Sequence, residues 1–221
     1  MRKICIEVKI SDTIEADLNI RRIHVKTGCI ILAGGKSSRM GEDKALLEYE
    51  GKHFIERIAE ELSFLDEKII ARGNNGELTG ITDSNWKIIP DIYPDHGPMG
   101  GMHAALKECE SDMMFVVTCD MPLITAELAR KICNEMSDTI ESKNYDAVIA
   151  VSTDGRYHPL CGVYKKELYK SMEEHLKQDN NRMMKVLKKC RLKYFNLDEE
   201  ESKQLMNVNT REEYGKIICN K

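Results

Sequence analysis

A glycine-rich segment carrying three cations follows an apolar run near residue 30. Residues 29–33 are apolar, and Gly34 and Gly35 come directly after them. Adjacent glycines let the backbone turn sharply and leave N–H groups open to an anion. Three cations follow within nine residues: Lys36, Arg39 and Lys44. A triphosphate needs this chemistry, because amide donors hold its oxygens and positive charge stabilises the departing pyrophosphate.

The spacing of these glycines excludes two common phosphate-binding motifs. The G-x-x-x-x-G-K-[ST] frame is absent, because Gly35 and Gly41 are too far apart and no lysine follows Gly41. G-x-G-x-x-G is absent too, so a dinucleotide-binding Rossmann site is not supported. The alternative interpretation of the segment is a glycine turn followed by a solvated basic stretch.

Carboxylates follow two later apolar runs. Asp91 comes directly after residues 86–90, and a Gly-Pro-x-Gly turn at 97–100 lies just beyond it. Such a turn at a helix start presents free N–H groups, and Asp91 could accept hydrogen bonds from a base or ribose. Asp120 follows residues 113–119, where a carboxylate suits Mg2+, which binds one or two carboxylates together with phosphate oxygens. The alternatives are a surface turn with a helix-start acid at Asp91, and a turn-initiating acid at Asp120.

Further polar residues lie in the second half of the chain. Asn207 and Asn209 alternate, which places both amides on one face of an extended segment; the alternative is an Asx turn that leads into a helix cap at Thr210. Arg182 could bind a phosphate with two hydrogen bonds or lie as a solvated cation at a helix start. His158 is a lone histidine, and we assign it no proton transfer.

Short apolar runs alternate with helical patterns from residue 28 onward. The predicted strands are 29–33, 68–71, 86–90, 113–119, 147–152, 160–164 and 192–197. Apolar residues at three- and four-residue spacing predict helices from Phe54 to Leu65 and from Leu128 to Met136. Thr125 is the predicted N-cap of the second, and Thr210 with Glu213 is a capping box for a final helix.

Continuous apolar strands separated by helices predict an α/β fold with a Rossmann-like, doubly wound, mostly parallel sheet flanked by helices in a single domain. Ligands of such sheets bind outside the carboxyl ends of the strands, which is where the polar residues above occur. Residues 28–221 form the predicted domain. Residues 1–27 lack a helix pattern and are interpreted as an N-terminal extension of unknown role.

Composition excludes several classes of protein. Lys and Arg number 33 against 37 Asp and Glu, a formal net charge of −4, so we expect no nucleic-acid partner. No apolar run approaches the roughly 20 residues needed to cross a bilayer, so we expect no membrane span. The eight cysteines form no CxxC pair, which favours reduced thiols and a cytoplasmic location.

The motifs together resemble a known family. The loop Leu32-Ala33-Gly34-Gly35-x-x-x-Arg39-Met40-Gly41-x-x-Lys44 resembles the signature of the Rossmann-like nucleotidylyltransferases, and more narrowly that of the molybdenum cofactor guanylyltransferases (the molybdopterin-guanine dinucleotide biosynthesis protein A family). Asp91 with the 97–101 segment, Asp120 with Pro122, Arg156 to Leu160, and 207–210 resemble that family's later motifs. The resemblance spans about residues 28–219.

The resemblance implies transfer of GMP from GTP to the terminal phosphate of molybdopterin (the molybdenum cofactor), followed by delivery of the product to cofactor-handling proteins. Implied catalytic residues are Arg39, Lys44 and Asp120, with Mg2+ on Asp120. Implied nucleotide-binding residues are Leu32, Ala33, Gly34, Gly35, Lys44, Arg72, Asn74, Asp91, Gly100 and Asp120. Implied acceptor-binding residues are His158, Arg182, Asn207 and Asn209.

One position departs from the family pattern. Arg72 stands where the family usually has an Asn that contacts the base, so either Asn74 takes that role or Arg72 contacts the nucleotide differently. Cytidylyl relatives usually carry Ala at the position of Gly34, which favours guanine here. The alternatives are a cytidylyltransferase or another NTP-dependent nucleotidylyltransferase acting on a phosphorylated acceptor, and a non-catalytic nucleotide- or cofactor-binding module.

Overall fold

The computed structural model describes residues 25–34, 43–73, 81, 83–137 and 145–219. Three of the predicted site residues, Gly35, Arg39 and Asn74, lie outside the described residues, as does most of the predicted N-terminal extension. The first described strand begins at Thr27, close to the predicted start of the domain.

Within the described residues, seven strands form one sheet in the spatial order β5-β4-β1-β6-β8-β7-β9. Their bounds are β1 Thr27–Leu32, β4 Lys68–Ala71, β5 Trp86–Ile89, β6 Met113–Thr118, β7 Ala147–Val151, β8 Tyr157–Lys165 and β9 Leu192–Asn196. A separate antiparallel hairpin joins β2 (Glu48–Tyr49) to β3 (Lys52–His53). All seven predicted strands are therefore confirmed, within a few residues at their ends.

The sheet is mostly parallel, as predicted. β1 pairs in parallel with β4 and β6, β4 with β5, and β7 with β9. β8 is the exception, since it runs antiparallel to both β6 and β7. It also begins at Tyr157, three residues before the predicted start, because Tyr157 and His158 extend the pairing with β7 through a hairpin. The antiparallel direction brings the start of β8 to the edge where β1 and β6 end.

In the described parts of the chain, seven helices lie between or after the strands. Their bounds are α1 Phe54–Glu61, α2 Pro98–Glu108, α3 Ala126–Ser137, α4 Leu168–Leu176, α5 Met183–Leu187, α6 Glu199–Gln204 and α7 Arg211–Cys219. A 3-10 turn at Lys44–Leu46 precedes them. α1 ends at Glu61, earlier than the apolar pattern predicts, although Leu62 and Leu65 still pack in the core.

Both predicted helix caps are present. The Thr125 hydroxyl accepts a 3.3 Å hydrogen bond from the Leu128 N–H at the start of α3. At α7, the Thr210 hydroxyl accepts from the Glu213 N–H at 3.1 Å, and the Glu213 carboxylate accepts from the Thr210 N–H at 2.9 Å. These bonds satisfy amide groups that a helix start otherwise leaves without partners.

Helices cover both faces of the sheet, which explains why the central strands read as continuous apolar runs. All six residues of β6 are buried. On one face α1 and α3 pack with residues such as Ile31 and Val117, and on the other α2, α4 and α5 pack with residues such as Ile30 and Val116. With both faces covered, the polar sites must lie at the ends of the strands.

The seven described cysteines are free thiols, and five of them are buried. This agrees with their interpretation as small apolar residues of the core. Among the helices of the described ranges, we find none that combines the length and the apolar character required to cross a bilayer.

Candidate active site

A cleft of about 150 Å3 opens where β1 and β6 end. The end of β1 and the residues after it form one wall, the end of β6 forms another, and single residues from α2, β8 and the C-terminal region complete it. The lining residues are Leu32, Ala33, Gly34, Asp43, Lys44, Pro98, Thr118, Cys119, Asp120, Leu160 and Asn207. The cleft therefore lies at the edge of the sheet where the sequence predicts a ligand.

The neighbouring strands hold the end of β1 in place. The Ala33 N–H donates to the Ala71 carbonyl at 2.8 Å, and the Cys119 N–H donates to the Leu32 carbonyl at 3.0 Å. A Cβ added to Gly34 would lie 3.5 Å from the carbonyl carbon of Arg72, an ordinary van der Waals distance. The described packing therefore tolerates Ala at this position, and the guanine preference inferred from Gly34 stays a prediction.

Lys44 is carried into the cleft by the 3-10 turn. Asp43 caps that turn, since its Oδ1 accepts a 3.1 Å hydrogen bond from the Ala45 N–H. The Lys44 Nζ donates a 2.6 Å hydrogen bond to the Oδ1 of Asn209. One predicted catalytic residue and one predicted acceptor-binding residue are thus in direct contact.

The segment around Val208 is anchored to the end of β6. The Val208 N–H donates to the Asp120 carbonyl at 2.8 Å, and the Val208 side chain is buried with Leu47 and Phe54. The two flanking asparagines consequently lie at the cleft: Asn207 lines it, and Asn209 holds Lys44. This arrangement agrees with the alternation from which their common placement is predicted.

The Asp120 carboxylate lies at the cleft, and its Oδ1 accepts a short hydrogen bond from the Thr118 hydroxyl. The second carboxylate of the lining, Asp43, is engaged by Ala45 and by Arg72. Across the described ranges there is no group of three or more His, Cys, Asp or Glu side chains that could hold a metal. One available carboxylate beside an open cleft fits Mg2+ shared with substrate phosphates, because this ion usually keeps few protein ligands.

Arg72 is placed differently from what its predicted role suggests. Only 4% of the residue is exposed, and it is not among the residues that line the cleft. Its Nη2 donates a 3.0 Å hydrogen bond to the Oδ2 of Asp43, and its backbone N–H donates to the Ile89 carbonyl at 3.1 Å. Arg72 therefore faces the carboxylate that caps the Lys44 turn.

Asp91 lies against Gly100 and Gly101, which belong to the first turn of α2. The Asp91 carboxylate accepts a hydrogen bond from the Gly73 N–H, and burial raises its pKa. A Cβ on Gly101 would lie 3.1 Å from the Asp91 Oδ1, and a Cβ on Gly100 would lie 2.7 Å from the Tyr93 carbonyl oxygen. Position 100 therefore requires glycine, because the Tyr93 carbonyl leaves no room for a Cβ. Their role in binding nucleotide stays a prediction, since only Pro98 of this turn lines the cleft.

His158 and Arg182 are not brought to the described lining. The His158 Nε2 lies 2.9 Å from the Ser152 hydroxyl within the β7–β8 hairpin, and burial lowers the pKa of its imidazole. Arg182 is exposed at the residue before α5. Leu160, two residues after His158, does line the cleft. The acceptor-binding roles of both residues stay predictions.

Five lining residues are not among the site residues predicted from the sequence: Asp43, Pro98, Thr118, Cys119 and Leu160. A signal existed for two of them. Asp43 directly precedes Lys44, and Thr118 stands two residues before Asp120 at the end of a strand. Cys119 stands between Thr118 and Asp120. Burial, and next the charge of Asp120, raise the pKa of its thiol to about 12, so the thiol is protonated at neutral pH.

Comparisons with known proteins identify the family of the chain. The family model described as the MobA-like NTP transferase domain matches residues 29–194. A probable molybdenum cofactor guanylyltransferase from Clostridium perfringens is 36% identical over 205 residues, covering 89% of this chain and 98% of that protein. Another, from Carboxydothermus hydrogenoformans, is 30% identical over 193 residues, covering 85% of this chain and 93% of that protein.

A solved structure shares the fold. Molybdopterin-guanine dinucleotide biosynthesis protein A from Archaeoglobus fulgidus superposes with a TM-score of 0.71, covering 86% of this chain and 96% of that one. The two sequences are 20% identical, so this likeness concerns the architecture alone. The predicted Rossmann-like α/β fold is confirmed.

Proposed function

The chain belongs to the MobA-like NTP transferase family, and from this premise we propose that it transfers GMP from GTP to the terminal phosphate of molybdopterin, releasing pyrophosphate. The names of the relatives support the choice of substrates. The observation that carries the proposal is the meeting of Lys44, Asp120 and Asn207 in one cleft at the carboxyl ends of β1 and β6.

In the proposed mechanism the triphosphate is bound at the end of β1. Lys44 neutralises charge that develops on the α-phosphate and on the leaving pyrophosphate, and Arg39 is assigned the same task. The 2.6 Å bond to Asn209 supports this role, because it holds the Lys44 ammonium in position before substrate arrives. Leu32, Ala33, Gly34 and Gly35 are proposed to contact the nucleotide through their backbone.

The acceptor is proposed to bind on the side of the cleft formed by Asn207. No side-chain base is required, because the terminal phosphate of molybdopterin is already ionised at neutral pH and attacks directly. Asn207 and Asn209 can donate amide hydrogen bonds to that phosphate, and His158 and Arg182 are proposed to contact the rest of the acceptor. Positioning and electrostatics then supply the rate.

Asp120 is the proposed ligand of Mg2+. When bound, the ion supplies positive charge to the phosphate oxygens and to the leaving pyrophosphate. The Thr118 hydroxyl supports this assignment, since it fixes one oxygen of the Asp120 carboxylate, and Asp120 lines the cleft. Buried free thiols and the use of GTP favour a cytoplasmic location, with delivery of the product to cofactor-handling proteins.

The deciding experiment follows pyrophosphate release with molybdopterin, Mg2+ and each of GTP, CTP, ATP and UTP in turn. We expect turnover with GTP, and loss of turnover in Asp120→Ala and Lys44→Met with the circular dichroism spectrum unchanged. Lys87→Met, a change at an exposed lysine of β5, is the matched control and should retain activity. Turnover with CTP alone would contradict the choice of GTP, and GTP binding without product would indicate a non-catalytic module.

A further inference from the structure

An ion pair joins Arg72 to Asp43 at the border of the cleft. Asp43 lines the cleft, whereas Arg72 is not among the lining residues. The Nη2 of Arg72 lies 3.0 Å from the Oδ2 of Asp43, with the Arg72 side chain 5% exposed and the Asp43 side chain 30% exposed. The pair joins the residue after β4 to the residue before the Lys44 turn. Removing one member of such a pair leaves the other charge uncompensated in a poorly hydrated place.

The Asp43 carboxylate has two opposing effects on the site: it stabilises the turn that carries Lys44, and its charge disfavours a triphosphate. Its Oδ1 caps the turn that carries Lys44, so the carboxylate helps to build the cleft. Its charge, however, is unfavourable for a triphosphate, which carries several negative charges. The ionisable side chains of the described lining, apart from the Cys119 thiol, are Asp43, Asp120 and Lys44, so the carboxylates outnumber the ammonium.

These charges share one small cleft. Asp43, Lys44 and Asp120 all line the same cavity of about 150 Å3. Asp43 therefore faces the same small space as Lys44 and Asp120. Without a counter-ion it would both repel the phosphates and compete with them for the Lys44 ammonium.

We propose that Arg72 is a positioning residue of the nucleotide site, whose guanidinium neutralises Asp43 and thereby leaves Lys44 available to the triphosphate. The inference rests on the proposed function, since it concerns the binding of a nucleoside triphosphate in this cleft. Its role differs from a contact with the base, because Arg72 is 4% exposed and its guanidinium points at Asp43.

Four variants test the inference: Arg72→Met, Arg72→Lys, Asp43→Asn and the double variant R72M/D43N. Asn retains a side-chain oxygen that can cap the Lys44 turn, so the local structure is kept while the charge is removed. We expect R72M to raise the Kd for GTP by roughly 10- to 100-fold, since it leaves an unpaired carboxylate at the site. R72K keeps the charge and should remain within about threefold of wild type.

Calorimetric titration with GTP distinguishes charge neutralisation from a merely structural role. The inference expects R72M/D43N to recover a Kd within about threefold of wild type, because the harmful charge is then absent. A double variant that binds as weakly as R72M, or more weakly, overturns it. If R72M does not fold, D43N decides: GTP affinity equal to or tighter than wild type supports the inference, and a loss of more than about fivefold overturns it.

Failure of the proposed function gives a different result. A wild-type protein that binds CTP but not GTP overturns the choice of nucleotide, and the same variants then test the inference with CTP. A wild-type protein that binds neither overturns both. Thermal unfolding of each variant reports folding separately from nucleotide binding.

Discussion

The Lys44 ammonium donates a 2.6 Å hydrogen bond to the amide oxygen of Asn209, a residue 165 positions later in the chain. The Asn209 N–H in turn donates to the Glu213 carboxylate at 2.7 Å, and that carboxylate also completes the capping box with Thr210. The start of α7 therefore fixes the partner of Lys44. A cation held in this way needs little rearrangement when charge develops on a phosphate.

Substitution of Asn209 should impair turnover by releasing or neutralising Lys44. We expect Asn209→Ala to lower kcat/KM for GTP by roughly tenfold and Asn209→Asp by roughly 100-fold, because the Asp carboxylate would bind the ammonium as an ion pair. Steady-state pyrophosphate release measures both. Asn85→Ala, at an exposed residue before β5, is the control and should match wild type. An Asn209→Asp variant with normal kcat/KM would show that Lys44 does not depend on this contact.

The requirement for metal should depend on Thr118. Its hydroxyl donates to the Asp120 carboxylate, and loss of such a supporting bond typically weakens metal binding by about 10- to 100-fold. We therefore expect Thr118→Val to raise the Mg2+ concentration needed for half-maximal activity, whereas Thr118→Ser keeps the hydroxyl and the wild-type requirement. A Mg2+ titration of activity, repeated with Mn2+ binding followed by electron paramagnetic resonance, measures the change. Equal metal affinity in the Val and Ser variants would argue against the positioning of Asp120 by Thr118.

Much of the fold follows from local patterns. The apolar runs predict all seven strands of the main sheet, since a strand covered on both faces has to be apolar along its length. The caps at Thr125 and Thr210 are predictable because each depends on residues three positions apart. The direction of β8 is not predictable in this way, because alternation and burial do not distinguish a parallel from an antiparallel neighbour.

The candidate site likewise contains residues that local motifs predict and contacts that they do not predict. Lys44 and Asp120 are recognisable from motifs, because each stands directly after a strand whose end must reach the ligand edge. The pairing of Arg72 with Asp43 is not recognisable, since it depends on two loops 29 residues apart meeting in space. The hydrogen bond between Lys44 and Asn209 is not predictable for the same reason: the sequence predicts a function for both residues, but their contact spans 165 positions of the chain.

Glu67 should make stability depend on pH in the acid range. Its carboxylate accepts hydrogen bonds from the Glu110 N–H at 2.9 Å and from the Ser111 N–H at 2.7 Å. Burial acts to raise the pKa of Glu67, but these bonds outweigh it and leave the pKa below the ordinary value. A lowered pKa stabilises the fold above the pKa of the unfolded chain, and this stabilisation disappears as pH falls through the folded value.

We accordingly expect Glu67→Gln to reduce the free energy of unfolding by about 1.5–3 kcal/mol at pH 7, the usual contribution of hydrogen bonds to a charged group. The difference from wild type should shrink as the pH is lowered below about 4.5. Urea unfolding at pH 7 and pH 3.5 measures both values. Glu127→Gln, at an exposed glutamate of α3, is the control and should change stability little. A constant difference between the two pH values would contradict the assignment of the lowered pKa.

The close approach of β7 and β8 makes Gly162 irreplaceable in the sheet. A Cβ at Gly162 would lie 2.3 Å from the Val148 carbonyl oxygen and 3.1 Å from the Ile149 Cα, and neither backbone atom can move without disturbing the strand pairing. We expect Gly162→Ala to destabilise the protein by about 3 kcal/mol or more. Gly215→Ala is the matched control, since no atom lies within 4 Å of its added Cβ and Ala in α7 should stabilise by about 0.5–1 kcal/mol. Thermal unfolding compares the two variants, and equal stability would mean that β8 does not pack against β7 as closely as the structure has it.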